Sequence, residues 1–218
     1  MGWPLNVLNQ IYRARLQLLL DPAVPGFDWR RALAAALAGG VDLVQLRSKA
    51  TDTAARVELA RALLAVTAPR GVPLLINDDV EAAAALVGEV AGVHLGQGDV
   101  PVAVARARLG EGASIGLSTH SRAELIAGQS GSASHFGLGA CFPTATKLDH
   151  HVLASAELAA AGAVATRPLF AIGGITPDNV HELVALGIRR VAVSSSLLTA
   201  RDPRAAAASL RERLVAAD

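Results

Sequence analysis

Short runs of Val, Leu and Ile recur along the chain, and Ala-rich segments with helical spacing separate them. The runs predict strands over 16–21, 41–47, 73–77, 92–96, 114–118, 134–139, 168–173 and 188–194. The segments between them predict helices near 29–38, 53–68, 80–87, 100–109, 122–128, 155–161, 177–186 and 203–217. Asp28 stands where a helix N-cap is favoured, and Pro69 and Gly71 end the second helix. Strands alternating with helices demand parallel pairing with helical crossovers. Successive strands start about 20–30 residues apart, enough for a strand, a helix and two short loops. Eight such units in roughly 200 residues predict a single α/β domain, a (β/α)8 TIM barrel over 16–218. Residues 1–15 are read as an N-terminal appendage or capping helix. The alternative, an open doubly wound sheet, would need a GxGxxG-type turn early in the chain, and the sequence has none.

One strand breaks the apolar pattern informatively. In Val41–Lys49, Gln45, Arg47 and Lys49 follow one another at spacing two. In a strand that spacing puts them on one face, at the carboxyl end where barrels keep their ligands. An amide and two cations together suit a polyanion such as a diphosphate. A solvated loop after a strand fits equally well on these residues alone.

Composition narrows the classes. Hydrophobic residues make up 52% of the chain and aromatics only 3%, so the core is built of Ala, Leu and Val. A net charge of +1 leaves no electrostatic footprint for nucleic acid or a membrane surface. The lone Cys141 permits no internal disulfide and suits a reducing, cytoplasmic setting. No apolar run approaches the roughly 18 residues of a membrane span, and the segment 16–20 is too short for a signal sequence. Association with further copies of the chain stays open.

If the strands close into a barrel, the loops after them meet at one rim. Asn77, Asp78 and Asp79 follow the third strand, and Asp99 follows the fourth. Asp78 and Asp99 suit Mg2+, which takes one or two carboxylates and completes its shell with water and phosphate. Asp79 is better placed as a helix N-cap. Ser118 ends the fifth strand; Thr144, Thr146 and Lys147 lie on a long loop after the sixth. Gly173 and Gly174 after the seventh, with Ser194 and Ser195 after the eighth, form the loop pair that cradles phosphate in many barrels, although tight turns and helix caps use the same residues. His94 falls inside a strand and reads as a hydrogen-bonded wall residue. His120 could face the site or solvent; the other histidines lack metal-ligand spacing. Cys141 has no evident base and reads as a buried, inert thiol.

Taken in order, VQLRSK (44–49), LLINDD (74–79), VHLGQGD (93–99), IGLSTHS (115–121), GLGACFPTATK (137–147), AIGGITPDN (171–179) and VAVSSSL (191–197) resemble the thiamine phosphate synthases over about 16–210. The resemblance implies a barrel enzyme that joins a hydroxymethylpyrimidine diphosphate to a thiazole phosphate and releases diphosphate. It implies that Gln45, Arg47 and Lys49, with Asn77, hold the pyrimidine diphosphate. Asp78 and Asp99 would hold Mg2+ and Ser118 would touch the pyrimidine. Thr144 and Thr146 would touch the thiazole phosphate, Lys147 the diphosphate, and Gly173, Gly174, Ser194 and Ser195 would cradle the thiazole's phosphate. It also implies a dissociative reaction, with Arg47, Lys49 and Lys147 stabilising the departing charge and no nucleophile–base pair needed.

Some positions depart from the family pattern. Ser48 stands in place of the usual Glu, and Ala140-Cys141 in place of Pro and an aliphatic residue. The expected glycine segment after Lys147 is missing, and the first strand ends Leu19-Leu20-Asp21. The related thiazole tautomerases use a His where this chain has Ala140. Retention of Asp78, Asp99 and Lys147 favours the synthase, with an isomerase or a non-catalytic phosphate-binding barrel as alternatives.

Overall fold

The computed structural model describes residues 6–22, 28–48, 52–144 and 151–216. Eight strands form a closed, all-parallel barrel in sequence order: β1 (Leu16–Leu20), β2 (Leu43–Leu46), β3 (Leu74–Asn77), β4 (Gly92–Leu95), β5 (Ser114–Thr119), β6 (His135–Leu138), β7 (Leu169–Ile172) and β8 (Val191–Val193). Closure is made by β1 against β8, with Leu16 opposite Val191 and Leu18 opposite Val193. The helices are α1 (Val7–Arg13), α2 (Trp29–Ala38), α3 (Thr53–Thr67), α4 (Val80–Ala85), α5 (Val102–Leu109), α6 (Arg122–Gln129), α7 (Ser155–Val164), α8 (Val180–Ala185), α9 (Ser195–Leu198) and α10 (Pro203–Val215).

The two-residue period of the strands divides the interior into two cores. Outward residues such as Leu18, Val44, Ile76, Val93 and Ile115 pack under the helices. Each fully buried Leu or Ile there contributes about 1.5–3 kcal/mol. Alanines carry the helix side of this contact: Ala36, Ala60, Ala82, Ala105 and Ala207 are fully buried, which lets helices sit close without aromatic bulk. Where α2 ends, a Cβ on Gly39 would lie 2.3 Å from the Arg204 carbonyl oxygen, so only glycine admits α10 at that distance.

Inside the barrel a smaller apolar cluster joins Leu43, Leu75 and Ala91 to Val7 and Ile11 of α1. That helix therefore seats on the amino-terminal mouth, opposite the rim where the site forms. The Asp42 carboxylate accepts hydrogen bonds from the Arg15 and Leu16 amides and pairs with Arg211 of α10, tying the entry segment to the last helix.

The caps follow local chemistry. Asp28 caps α2 by accepting from the Arg31 amide, and Asp79 caps α4 by accepting from the Ala82 amide. After α3 a 3-10 turn through Ala68–Arg70 ends at Gly71, whose φ of 66° needs no Cβ penalty. Two expectations need correction. The helix after β7 begins at Val180 rather than near 177, because Asn179 closes the preceding loop on Thr176 and Gly174. The eighth strand spans only Val191–Val193, since Ser194 already starts the short helix α9.

Candidate active site

The rim encloses a cavity of about 560 Å3, open toward the carboxyl ends of the strands. Three structural features build its walls.

The first is a ladder of amides. Gln17, the one polar residue of β1, donates from Nε2 to Gln45 Oε1 at 2.6 Å, and Gln45 Nε2 donates to Asn77 Oδ1 at 2.5 Å. Gln17 and Gln45 are 2% exposed, so the bonds are needed to offset their desolvation. The ladder ends at the cavity with the Asn77 amide. Val44 and Leu46 point the other way into the helix layer, which leaves Gln45 facing inward and Arg47 beside it at the rim.

The second is a chain of imidazoles and hydroxyls. His94 Nε2 lies 3.0 Å from Ser118 Oγ, His94 Nδ1 lies 3.3 Å from His135 Nε2, and His135 Nδ1 lies 3.2 Å from Ser114 Oγ. His94 thus serves as a hydrogen-bonded wall residue, as its place in a strand suggested. Its partner His135, 41 positions away, gave no signal in sequence. Burial pushes His94 down to about 4, with a small opposing pull from Asp99; burial and the neighbouring His94 hold His135 well below its usual range. Both rings are neutral at pH 7.

The third is a carboxylate pair. Asp78 adopts a left-handed φ of 65°, rare for a residue with a side chain. Its amide donates to the His94 carbonyl at 2.8 Å. This turn faces its carboxyl to Asp99, which itself accepts from the Gly96 amide at 2.7 Å. Burial, then the hydrogen bond and repulsion from Asp99, push Asp78 up to about 6 against the pull of Arg47 and Arg56. Asp79 behaves oppositely: burial would raise it, but the Ala82 amide, Thr53 and Arg56 hold it below the usual range. It is a structural cap, and the Arg56 and Thr53 contacts to it were not legible in sequence.

The remaining residues are distributed unevenly. Thr144, Gly173, Gly174, Ser194 and Ser195 line the cavity. Lys49, Thr146 and Lys147 lie outside the described residues. At Gly174 (φ 65°) a Cβ would lie 2.4 Å from the Pro143 carbonyl oxygen, and at Gly173 one would lie 2.8 Å from Ala140 Cβ. Chain packing therefore demands both glycines whatever they bind. The helix expected from about 177 starts later: α8 begins six residues past Gly174, so any anion contact at the glycines comes from loop amides. Ser196, the third of the serine run and given no role from the sequence, also faces the cavity, and its buried Oγ has no hydrogen-bond partner among the described residues. His120 lines the rim and meets Glu124. Cys141 is buried, its thiol pushed up to about 12 by burial, consistent with an inert role. Among the described residues no group of three His, Cys, Asp or Glu side chains forms a metal cluster.

One cavity at the strand carboxyl ends is lined by Arg47, Asp78, Asp99 and the two small-residue loops. A model of the thiamine monophosphate synthase family matches residues 16–197. The chain belongs to that family. It is 40% identical over 214 residues to a thiamine-phosphate synthase of Streptomyces avermitilis, covering 97% of this chain and 98% of that one. Another thiamine-phosphate synthase, from Thermobifida fusca, is 42% identical over 214 residues, covering 96% of each. Among solved structures, a thiamine phosphate pyrophosphorylase from Pyrococcus furiosus superposes with a TM-score of 0.83 at 29% identity, over 96% of this chain and 98% of that one. Among the described residues no helix is long and apolar enough to cross a membrane.

Proposed function

We propose that this chain is a thiamine-phosphate synthase, a transferase that joins hydroxymethylpyrimidine diphosphate to thiazole phosphate and releases diphosphate. The observation that carries the reading is the convergence of Arg47, the Asp78–Asp99 pair and the 173–174 and 194–196 loops on one cavity. The family and the relatives at about 40% identity point the same way.

Asp78 and Asp99 would hold Mg2+, and the chemistry of the pair fits one. Burial, and after it the neighbouring Asp99, push Asp78 up to about 6, so an added positive charge on the pair would be favoured. A hard divalent cation takes oxygen ligands of this kind and, when bound, neutralises charge gathering on a departing diphosphate. The chain's own groups do the rest. Arg47 sits where it can pair with phosphate oxygens, and its guanidinium suits that geometry. Lys49 and Lys147 are assigned the same task by resemblance. Asn77 and Ser118 offer neutral polar contacts for the aminopyrimidine, and Gln45 holds Asn77 in place. Thr144 and Thr146, with the amides of 173–174 and Ser194–Ser196, would take the thiazole phosphate. The methylene–oxygen bond breaks with its electron pair leaving on diphosphate, and the thiazole nitrogen then supplies the pair for the new carbon–nitrogen bond. No proton is removed, which suits a site whose buried imidazoles, His94 and His135, are occupied with each other and with serines.

The tautomerase alternative is weakened at Ala140, which lines the cavity and offers only a methyl group. The deciding experiment supplies both substrates and Mg2+ and looks for thiamine phosphate by mass. Formation of product supports the reading. Its absence, with turnover in a parallel thiazole tautomerisation assay, would replace it with the isomerase, and binding without turnover in either assay would leave a phosphate-ligand-binding barrel.

A further inference from the structure

The chain through Ser114, His135, His94 and Ser118 climbs from the buried base of β5 to the cavity, joined at 3.2, 3.3 and 3.0 Å. Gly116 makes room for it. A Cβ there would lie 2.2 Å from His94 Nδ1 and 2.3 Å from His135 Nε2. A neutral imidazole has one N–H and one lone pair. The two facing ring nitrogens hold one proton between them, so the direction of that bond dictates the direction of the other two. Either Ser114 donates to His135, His135 to His94 and His94 to Ser118, or every bond reverses.

The base of the chain selects between them. Ser114 is fully buried, and His135 is the hydrogen-bond partner of its hydroxyl. With Ser114 as donor, its proton is used. In the reversed direction Ser114 accepts, and its own buried proton has no acceptor among the described residues, which a low-dielectric interior penalises. The upward direction therefore holds, and its last bond is His94 Nε2–H to Ser118 Oγ. Ser118, receiving rather than giving, has its own O–H to offer to the cavity.

We propose that His135, acting through His94, is a positioning residue that makes Ser118 a hydrogen-bond donor toward the bound ligand, whose matching atom is an unprotonated acceptor such as a heteroaromatic ring nitrogen. Naming that ring as the aminopyrimidine rests on the function proposed above; the polarity of the chain does not.

Nitrogen NMR of the ligand-free protein reads the tautomer of His94 directly. The wild type and His135→Gln, whose amide N–H replaces the imidazole Nε2–H, should show His94 protonated at Nε2. His135→Phe keeps the ring volume but removes the donor, and Ser114→Ala removes the source of the chain's direction; both should lose that preference. In both, KM for the pyrimidine diphosphate should rise about tenfold, roughly the factor one hydrogen bond carries, while KM for thiazole phosphate stays unchanged. Protonation of wild-type His94 at Nδ1 would overturn the proposal. So would an unchanged tautomer in the two disrupting variants, or equal loss for both substrates. Should His135→Phe fail to fold, Ser114→Ala carries the same comparison. If the wild type makes no thiamine phosphate, the functional reading fails while the NMR comparison still decides the polarity.

Discussion

Two hydrogen-bonded chains line opposite parts of one barrel, and they solve the same problem differently. The amide ladder Gln17–Gln45–Asn77 crosses β1 to β3, with contacts of 2.6 and 2.5 Å. The imidazole chain crosses β4 to β6 with contacts of 3.0–3.3 Å. Each amide carries a donor and an acceptor on separate atoms, so the ladder is satisfied without titration over the whole working pH range. The imidazole chain buys direction instead, because each ring must choose one nitrogen, and it needs Gly116 to bring the rings together. The ladder is a fixed wall; the imidazole chain is a wall whose polarity one proton sets. Asp78 stands where they meet, following Asn77 in sequence and bonded to the His94 carbonyl.

The junction is the place to break both. Asp78→Ala should cost about 3 kcal/mol or more in kcat/KM, the scale of a lost charge-stabilising group. Steady-state kinetics across Mg2+ concentrations checks this, and unchanged activity would remove Asp78 from the site. Gln45→Leu attacks the ladder alone. It strands the Gln17 amide and one bond of Asn77, and should cost about 1–3 kcal/mol in urea unfolding, with the tautomer of His94 unchanged. Gly116→Ala attacks the imidazole chain alone, costing about 1–3 kcal/mol through overpacking while leaving the amide ladder intact. A variant as stable as the wild type would mean that the rings can separate freely.

The smallest effect sharpens the contrast between titrating and non-titrating walls. His94 falls from 6.5 to about 4 on folding and His135 also falls well below 6.5, so below 6.5 the unfolded chain binds more protons and stability rises with pH. Asp78 rises from 3.8 to about 6, so between those values the folded chain binds more protons and stability falls with pH. Two groups oppose one, and the metal-free protein should gain stability from about pH 4 to 6.5, by at most about 1.4 kcal/mol per pH unit for each net proton. Asp78→Asn should steepen that slope and His135→Gln should flatten it, read from urea midpoints; Gln45→Leu should leave the slope alone. A slope insensitive to all three would place the titration elsewhere.

Much of the architecture was legible from local rules. A two-residue period places Gln45 opposite in facing to Val44 and Leu46, and Asp28 and Asp79 announce helix starts, because these are matters of neighbouring residues. Ordered strand-end motifs pointed to Arg47, Asp78, Asp99, Ser118 and the glycine and serine loops. Gln17 could have been found the same way, as the one polar residue in a strand of leucines. Ser196 was hidden in a run of identical residues, and the start of α8 depended on how Asn179 folds back on its loop.

What the sequence determined by itself was the barrel, its order and the rim, since periodicity and turn residues act over a few positions and closure follows from repeating them. Tertiary structure alone decided the pairing of His94 with His135, the left-handed turn that sets Asp78 against Asp99, and the capture of Asp79 by Arg56. Each joins residues from different strands or helices. Distance in space, and the dielectric that burial creates there, are properties of the folded chain that no local pattern encodes.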